Sequence, residues 1–387
     1  MHLIESYATS CGLRIDKPFI LEKYFPLDFE RYITFSCSSE QPKIYDYWSD
    51  VSDIISPHLK SQNIAILQIG RKTDKIFPGA FIANGQTTPN HTAYILRNSL
   101  LHFGADDFSN QIASLYDRKI VSLYSNNISN NFRPYFGDRS KHKVMESPRN
   151  GNRPSCAQME NPKTINQIKP EEIAREILDL LDIKVGIKYK TLFMGQSYSN
   201  KIAETVPNQV VNVASLGTNN IIVRMDFLFN EEFLIKQLQA CPCAIVTNKP
   251  ISKKILIDFK NNIKELVYFI DEGHDPQFVN DLQKNAINYA LFSKEDEAGL
   301  EKYKIHYMDY GIIHPKKPKI NELLDKSENL FYKSSKLTLS NGKMYPSRYA
   351  YENDLPITHQ SGISKMTKDP LLLEESDYFY FLEEVID

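Results

Sequence analysis

The sequence has little of what several large protein classes require. Only five cysteines occur in 387 residues, and they form no zinc-binding pattern, because a single residue separates Cys241 from Cys243. We therefore expect all five to be reduced thiols. No apolar run approaches the roughly 18 residues that a membrane-spanning helix needs. The formal net charge of −2 is not the basic footprint of a general nucleic-acid-binding protein, so no nucleic-acid partner is expected.

Two further signals are absent. The first residues lack the basic and then apolar build of a signal peptide, so we expect a cytoplasmic protein, with peripheral contact to a membrane surface left open. No Gly-x-Gly-x-x-Gly motif follows a predicted strand, which argues against a nicotinamide-dependent oxidoreductase. The sequence favours no oligomeric state and predicts no metal.

What the chain does contain is a long alternation of strand and helix patterns. A length of 387 residues suits two domains that each bury a core. Apolar runs such as Ile64 to Ile69, with Gln68 as their single polar residue, are typical of parallel strands that are buried on both faces. From Tyr45 to Leu59, apolar residues recur at helical spacing. We therefore predict an α/β fold with two Rossmann-like domains.

The predicted organisation has four parts. They are an adapter at 1–30, a first Rossmann-like domain at 31–185, a second at 186–318, and a linker with a C-terminal helix at 319–387. Within the first domain, residues 126–162 are rich in Asn, Pro, Ser and Arg without a sustained period, so we predict a long loop there. The strands predicted in the second domain include 210–213 and 306–310.

Short motifs in the first domain follow one another in a family-specific order. They are Ser38-Ser39 with Lys43, then Gly70, Gly85 to Thr88, Gly104 with Asp106, and Pro170-Glu171-Glu172. This segment resembles the nucleotide-sugar-binding half of heptosyltransferase-type glycosyltransferases (glycosyltransferase family 9), in which two Rossmann-like domains face each other in the GT-B arrangement. The resemblance implies a GT-B-like fold with the nucleotide-binding domain first and the acceptor side second.

The resemblance also implies a reaction. The protein is expected to transfer a sugar from a nucleotide-sugar donor to a glycan or other acceptor, for example in lipopolysaccharide or other surface-glycan synthesis. The donor is a co-substrate, and no cofactor is implied. The residues that the resemblance assigns to the donor are Ser38, Ser39, Lys43, Gly70, Thr87, Gly104, Asp106, Asp107 and Gln111.

Other residue types suit the same chemistry. Arg71 or Lys72, after a buried strand, could contact a phosphate or the base. The basic residues of the predicted loop suit phosphates or an acidic acceptor, and we select Arg133, Arg139 and Lys141. A general base must deprotonate the acceptor hydroxyl, and Asp226 and Asp271 follow strands of the second domain. Each of these residues has a purely structural role as its alternative, and Thr88, Asp106 and Asp107 could serve only as helix caps.

In that family the start of the helix that follows the aspartate receives the phosphates, and three positions there depart from the family pattern. Asp107 replaces a hydroxyl residue, Phe108 a glycine and Gln111 a histidine. A second carboxylate beside a phosphate is repulsive unless a metal or an arginine compensates it. Those transferases also carry the acceptor domain first, whereas the nucleotide-like domain comes first here. The alternative function is therefore a catalytically decayed scaffold that binds a glycan or nucleotide without turnover.

Overall fold

The protein is described by a computed structural model and divides into two compact units. Met1–Thr191 and Val385–Asp387 form the first unit, and Leu192–Glu384 the second. Both have the mixed α/β architecture with parallel strands that the sequence predicts. The described residues are all except 38–39, 213–215, 272, 296, 308–311, 314–328, 359–360, 368, 370–371, 373 and 386–387.

A six-stranded parallel sheet forms the centre of the first unit. Its strands are β1 (Tyr32–Ser36), β2 (Ala65–Ile69), β3 (Phe81–Ile82), β4 (Leu101–Ala105), β5 (Lys119–Tyr124) and β6 (His142–Glu146). Their order across the sheet is β3-β2-β1-β4-β5-β6, and every neighbouring pair is parallel. The direction in which strands are added therefore reverses between β1 and β4. Such a topological switch point is where open α/β sheets bind ligands.

The helices of this unit begin where the sequence supplies good start signals. They are α1 (Leu3–Cys11), α2 (Trp48–Ser61), α3 (Pro89–Asn98), α4 (Phe108–Leu115), α5 (Ser129–Phe132) and α6 (Pro170–Leu180). Thr88 caps α3 directly before its first-turn proline, and α6 begins with a proline followed by two glutamates. Trp48 packs against Phe35 and Phe103 in the core.

The predicted long loop at 126–162 is wrong in part. Helix α5, a 3-10 turn at Arg139–Lys141 and strand β6 lie within it. Strand β6 was missed because it is a half-buried edge strand with charged residues, so it shows no apolar run. It nevertheless pairs with β5 along its whole length.

The second unit contains two sheets. Its strands are β7 (Tyr189–Met194), β8 (Ile202–Thr205), β9 (Ile221–Arg224), β10 (Cys243–Thr247), β11 (Ile263–Phe269), β12 (Tyr289–Phe292), β13 (Ile312–Ile313), β14 (Leu330–Ser334), β15 (Lys336–Ser340), β16 (Lys343–Tyr345), β17 (Ile363–Lys365) and β18 (Phe379–Glu384). The larger sheet has the order β13-β12-β11-β10-β9-β8-β15-β16, and β16 is antiparallel to β15. The smaller has the order β17-β14-β18-β7.

Except for the last, the helices of the second unit alternate along the chain with strands β9 to β13 of the larger sheet. They are α7 (Glu231–Ala240), α8 (Lys253–Asp258), α9 (Pro276–Lys284), α10 (Glu297–His306) and α11 (Arg348–Glu352). The sequence predicts α7 to α10 to within a few residues. In the part of the chain that the structure describes, no helix has both the length and the apolar character needed to cross a membrane.

Three predicted elements of this unit differ from the structure. Residues 210–212 form no strand and residue 213 lies outside the described residues, whereas the unpredicted β8 lies nearby in the chain. His306 ends α10, and residues 308–310 of the strand predicted there lie outside the described residues. Near the end of the chain, the predicted helix is replaced by β18, whose aromatic residues at its start favour a buried strand.

Candidate functional site

A cavity of about 560 Å³ opens at the carboxyl edge of the six-stranded sheet. Residues that follow β1, β2 and β4 line it, so it lies at the switch point between β1 and β4. Residues at the starts of α1, α3 and α4 line it as well. The predicted site residues among its lining are Lys43, Gly70, Arg71, Thr87, Asp106, Asp107 and Gln111, whereas Lys72 is not part of it.

Lys43 is a buried cation in this lining, with 8% of its surface exposed. Its Nζ lies 3.2 Å from Asp106 Oδ2 and 3.0 Å from Glu40 Oε2. Burial alone would lower the pKa of Lys43, but the two carboxylates outweigh it and raise that pKa. Lys43 is therefore charged at neutral pH, and two acids share its charge before any ligand binds.

Asp106 and Asp107 follow β4 and are held differently. Burial raises the pKa of Asp106, and Lys43 opposes that rise. Asp107 caps α4, since its Oδ1 accepts a hydrogen bond of 2.8 Å from the Ser109 N–H. Burial raises the pKa of Asp107 to about 6, although hydrogen bonds from Ser36 and Ser109 oppose the rise. One acid thus faces a lysine and the other a helix N-terminus.

Gly104 sets how closely β1 and β4 approach just before these acids. A Cβ atom at this position would lie 2.2 Å from the Ser36 carbonyl oxygen, so only glycine fits there. His102, two residues earlier, is fully buried between Thr34 Oγ1 at 3.0 Å and Ser36 Oγ at 3.3 Å. Burial lowers the pKa of His102 to about 3, so this imidazole is neutral. Gly104, which the family resemblance assigns to the donor, is not part of the cavity lining, and its role is to let β1 and β4 approach.

The rim at the end of β2 is built around Gly70. Its carbonyl accepts a hydrogen bond of 2.8 Å from the Gly85 N–H, and a Cβ at Gly70 would lie 2.4 Å from Asp74 Oδ2. The same Asp74 oxygen accepts a hydrogen bond of 2.7 Å from the Arg71 N–H. The Arg71 side chain is exposed and lines the cavity, and it forms no ion pair with any residue that the structure describes.

Gln111 supports the wall opposite the strand ends. Its Nε2 donates to the carbonyls of Phe132 at 2.8 Å and Arg133 at 3.1 Å, and its Oε1 accepts from the Tyr135 N–H at 3.1 Å. The His2 ring also contacts the Arg133 carbonyl, at 2.8 Å from Nε2. The amide of Gln111 is thus committed to the backbone of residues 132–135, although the residue lines the cavity.

Other predicted residues lie elsewhere. Ser38 and Ser39 lie outside the described residues. Arg133, Arg139 and Lys141 are described but are not part of the cavity lining, and Lys141 pairs with Asp117.

The two candidate general bases belong to the second unit. Both carboxylate oxygens of Asp226 accept hydrogen bonds from Arg224, at 2.8 and 2.7 Å. Arg224 also donates to the buried Glu204 at 2.8 Å. Asp271 Oδ1 accepts from Ser293 Oγ at 2.8 Å and from the Lys294 N–H at 3.0 Å. Asp226 is therefore held in an ion-pair network, whereas Asp271 caps a turn.

Several lining residues were not predicted from the sequence. Glu40 and Asp74 lie three and four residues from Lys43 and Gly70, so their spacing was a signal that could have found them. His2 and its neighbours in α1 gave no signal, because they are far from the other site residues in the chain. With Asp106 and Asp107, the lining holds more carboxylates than cations. Among the described residues, no group of three or more His, Cys, Asp or Glu is arranged to hold a metal ion.

No protein-family model and no curated protein sequence matches the chain. Among solved structures, it is similar to a family 9 glycosyltransferase from Veillonella parvula, at 16% identity over 46% of this chain and 50% of that one, with a TM-score of 0.34. It is also similar to the E. coli ADP-heptose lipopolysaccharide heptosyltransferase II, at 14% identity over 46% and 50%, with a TM-score of 0.32. The E. coli heptosyltransferase WaaC with ADP matches at 15% identity over 46% and 54%, with a TM-score of 0.32.

The chain spans about half the length of these solved relatives. They belong to the family that the sequence motifs resemble, so the partial resemblance is confirmed. At these TM-scores the likeness carries no weight for the ligand or the reaction, which rest on the cavity.

Proposed function

We propose that the first unit binds a nucleotide-activated sugar in the cavity, and that the protein is a glycosyltransferase. The observation that carries the proposal is the position of the cavity at the switch point of a β3-β2-β1-β4-β5-β6 parallel sheet. Loops and helix starts meet at such a point, and nucleotides are bound there by backbone N–H groups and nearby cations. A volume of about 560 Å³ lies within the usual range for small-molecule sites.

The lining supplies groups that a sugar nucleotide needs. The Lys43 ammonium can compensate the charge that develops on a leaving diphosphate. Gly70 contributes its backbone to the lining at the end of β2, and the Thr87 hydroxyl lies at the start of α3. Asp106 can exchange its contact with Lys43 for a hydroxyl of the ligand, because a carboxylate accepts hydrogen bonds readily.

Transfer also needs a general base for the acceptor hydroxyl. Of the two candidates, Asp271 suits this role better, because both oxygens of Asp226 already accept hydrogen bonds from Arg224. Only Oδ1 of Asp271 is engaged by the described residues. Asp271 is therefore the carboxylate of the second unit that is freer to accept a hydrogen bond from a hydroxyl.

A second candidate function is binding without catalysis. It is favoured by the double pairing of Lys43 with Glu40 and Asp106, which leaves less of its charge for a phosphate. A glycan or nucleoside could then occupy the cavity without reaction. Turnover of any sugar nucleotide by the purified protein would exclude this candidate.

Calorimetric titration with a panel of nucleoside diphosphates tests binding. We expect at least one nucleoside diphosphate to bind with a dissociation constant below millimolar. The double variant Lys43→Met with Asp106→Asn should raise that dissociation constant by about tenfold or more. The double variant removes both charges, so it leaves neither of this pair buried without its partner.

Lys72→Met is the matched control, since Lys72 is exposed and is not part of the cavity lining. The emission of Trp48, the single tryptophan, checks that the first unit of each variant is folded. Absence of binding by every member of the panel would contradict the proposal.

A further inference from the structure

The start of α4, where the family resemblance places the phosphates, is already occupied in this protein. The Asp107 carboxylate caps the helix through the Ser109 N–H at 2.8 Å and also lines the cavity. Asp106 lies beside it. A phosphate at this place would compete with a carboxylate of the protein for the same N–H groups and would be repelled by two acids.

The end of β2, on the other side of β1, carries the cation Arg71 beside a single carboxylate, Asp74, which accepts a hydrogen bond from the Arg71 N–H. Arg71 follows β2, which pairs with β1 on the side away from β4. Two strand spacings separate the ends of β2 and β4, which is about 10 Å. Arg71 lines the cavity, its guanidinium has no ion-pair partner among the residues described, and its backbone N–H is bonded to Asp74. A guanidinium binds phosphate oxygens in pairs and keeps its charge at any physiological pH.

We propose that the diphosphate of the ligand lies against Arg71 at the end of β2, and that Asp107 receives hydroxyl groups of the sugar or ribose at the end of β4. A carboxylate accepts hydrogen bonds from hydroxyls, so the acid that repels a phosphate selects a hydroxyl-rich group. Phe108, the next residue, is 56% exposed and lines the cavity, so its ring offers a flat apolar surface to the same group.

This inference rests on the proposed function and specifies its substrate class. The ligand is a diphosphate joined to a sugar with free hydroxyls, bound in the direction opposite to the one that the family resemblance implies. Asp107 and Arg71 then determine which end of the ligand enters which side of the cavity.

The test compares inorganic pyrophosphate with a sugar nucleotide that binds the wild-type protein. Arg71→Ala should weaken the binding of both ligands by about tenfold or more, because both carry a diphosphate group. Lys72→Ala is the control and should change neither by more than about twofold, since an exposed charge outside the cavity contributes little.

Asp107→Asn completes the test, and asparagine preserves the helix cap. The variant should weaken binding of the sugar nucleotide by about fivefold or more, because a neutral acceptor forms a weaker hydrogen bond than a carboxylate. It should leave the binding of pyrophosphate nearly unchanged. Pyrophosphate binding that rises by about tenfold in Asp107→Asn would place the phosphates at α4 and overturn the inference.

The two proposals fail differently. If the wild-type protein binds no nucleoside diphosphate, the proposed function itself fails, and this inference fails with it. If the wild-type protein binds one and Arg71→Ala binds it equally well, only the inference about its direction is overturned.

Discussion

His102 and Lys43 support the same cavity but are held in opposite charge states. Burial without a charged partner keeps His102 neutral, whereas Asp106 and Glu40 keep the buried Lys43 protonated. The sequence suggested Lys43 through the family resemblance. It did not suggest His102, because the pattern of a buried strand does not show which polar residue finds hydroxyl partners on the next strand.

The neutral His102 predicts a dependence of stability on pH. Its pKa is about 3 in the folded protein against an ordinary 6.5, so between these values the unfolded chain binds one more proton. The free energy of unfolding should therefore fall as pH falls through this window, by about 2 kcal/mol from His102 between pH 7 and pH 5.

Urea unfolding followed by Trp48 emission measures this for the first unit. His102→Gln should lose the pH dependence that His102 contributes. The free energy of unfolding of the wild type, relative to that of the variant, should therefore fall by about 2 kcal/mol from pH 7 to pH 5. Asp107, whose pKa is raised to about 6, acts in the opposite direction but equally in both proteins. A difference that is the same at both pH values would contradict the assignment of a neutral His102.

At the scale of elements, the sequence predicts a strand well where apolar residues follow one another, but it does not show how side chains pack. Strand β2 lies where the sequence places it, because the segment from Ile64 to Ile69 is almost entirely apolar. The charged residues of β6 hide it within a predicted loop, and β18 lies in a predicted helix although its aromatic residues favour a strand. The Gln111 side chain holds the segment after α5 through hydrogen bonds to backbone carbonyls more than twenty positions away in the chain.

Gln111 therefore predicts a local change in dynamics. Gln111→Ala removes the acceptor of the Tyr135 N–H and two donors to the carbonyls of residues 132 and 133. Unfolding should become easier by about 1–3 kcal/mol, and the Tyr135 amide should exchange its hydrogen faster. Hydrogen exchange read by mass spectrometry over this segment provides the measurement.

Ser114→Ala is the matched control on the same helix. Its hydroxyl donates only to the Gln111 carbonyl, at 2.7 Å, and does not reach residues 132–135. Exchange in this segment that is equal in the two variants would show that Gln111 does not hold it.

At the scale of the whole molecule, the sequence was enough to predict alternating strands and helices but not the order of strands in the sheet. The order β3-β2-β1-β4-β5-β6 makes the ends of β1, β2 and β4 neighbours, and this brings Lys43, Gly70 and Asp106 to one cavity. The contribution of α1 could not be predicted, because it depends on a contact between His2 and Arg133, which are 131 positions apart.

The most direct test of the central claim is a crystal structure of the protein with a nucleoside diphosphate that calorimetry shows to bind. We predict density for the nucleotide in the cavity at the ends of β1, β2 and β4, within contact distance of Lys43, with the diphosphate at Arg71. Density for the nucleotide at another place, with this cavity unoccupied, would contradict the account.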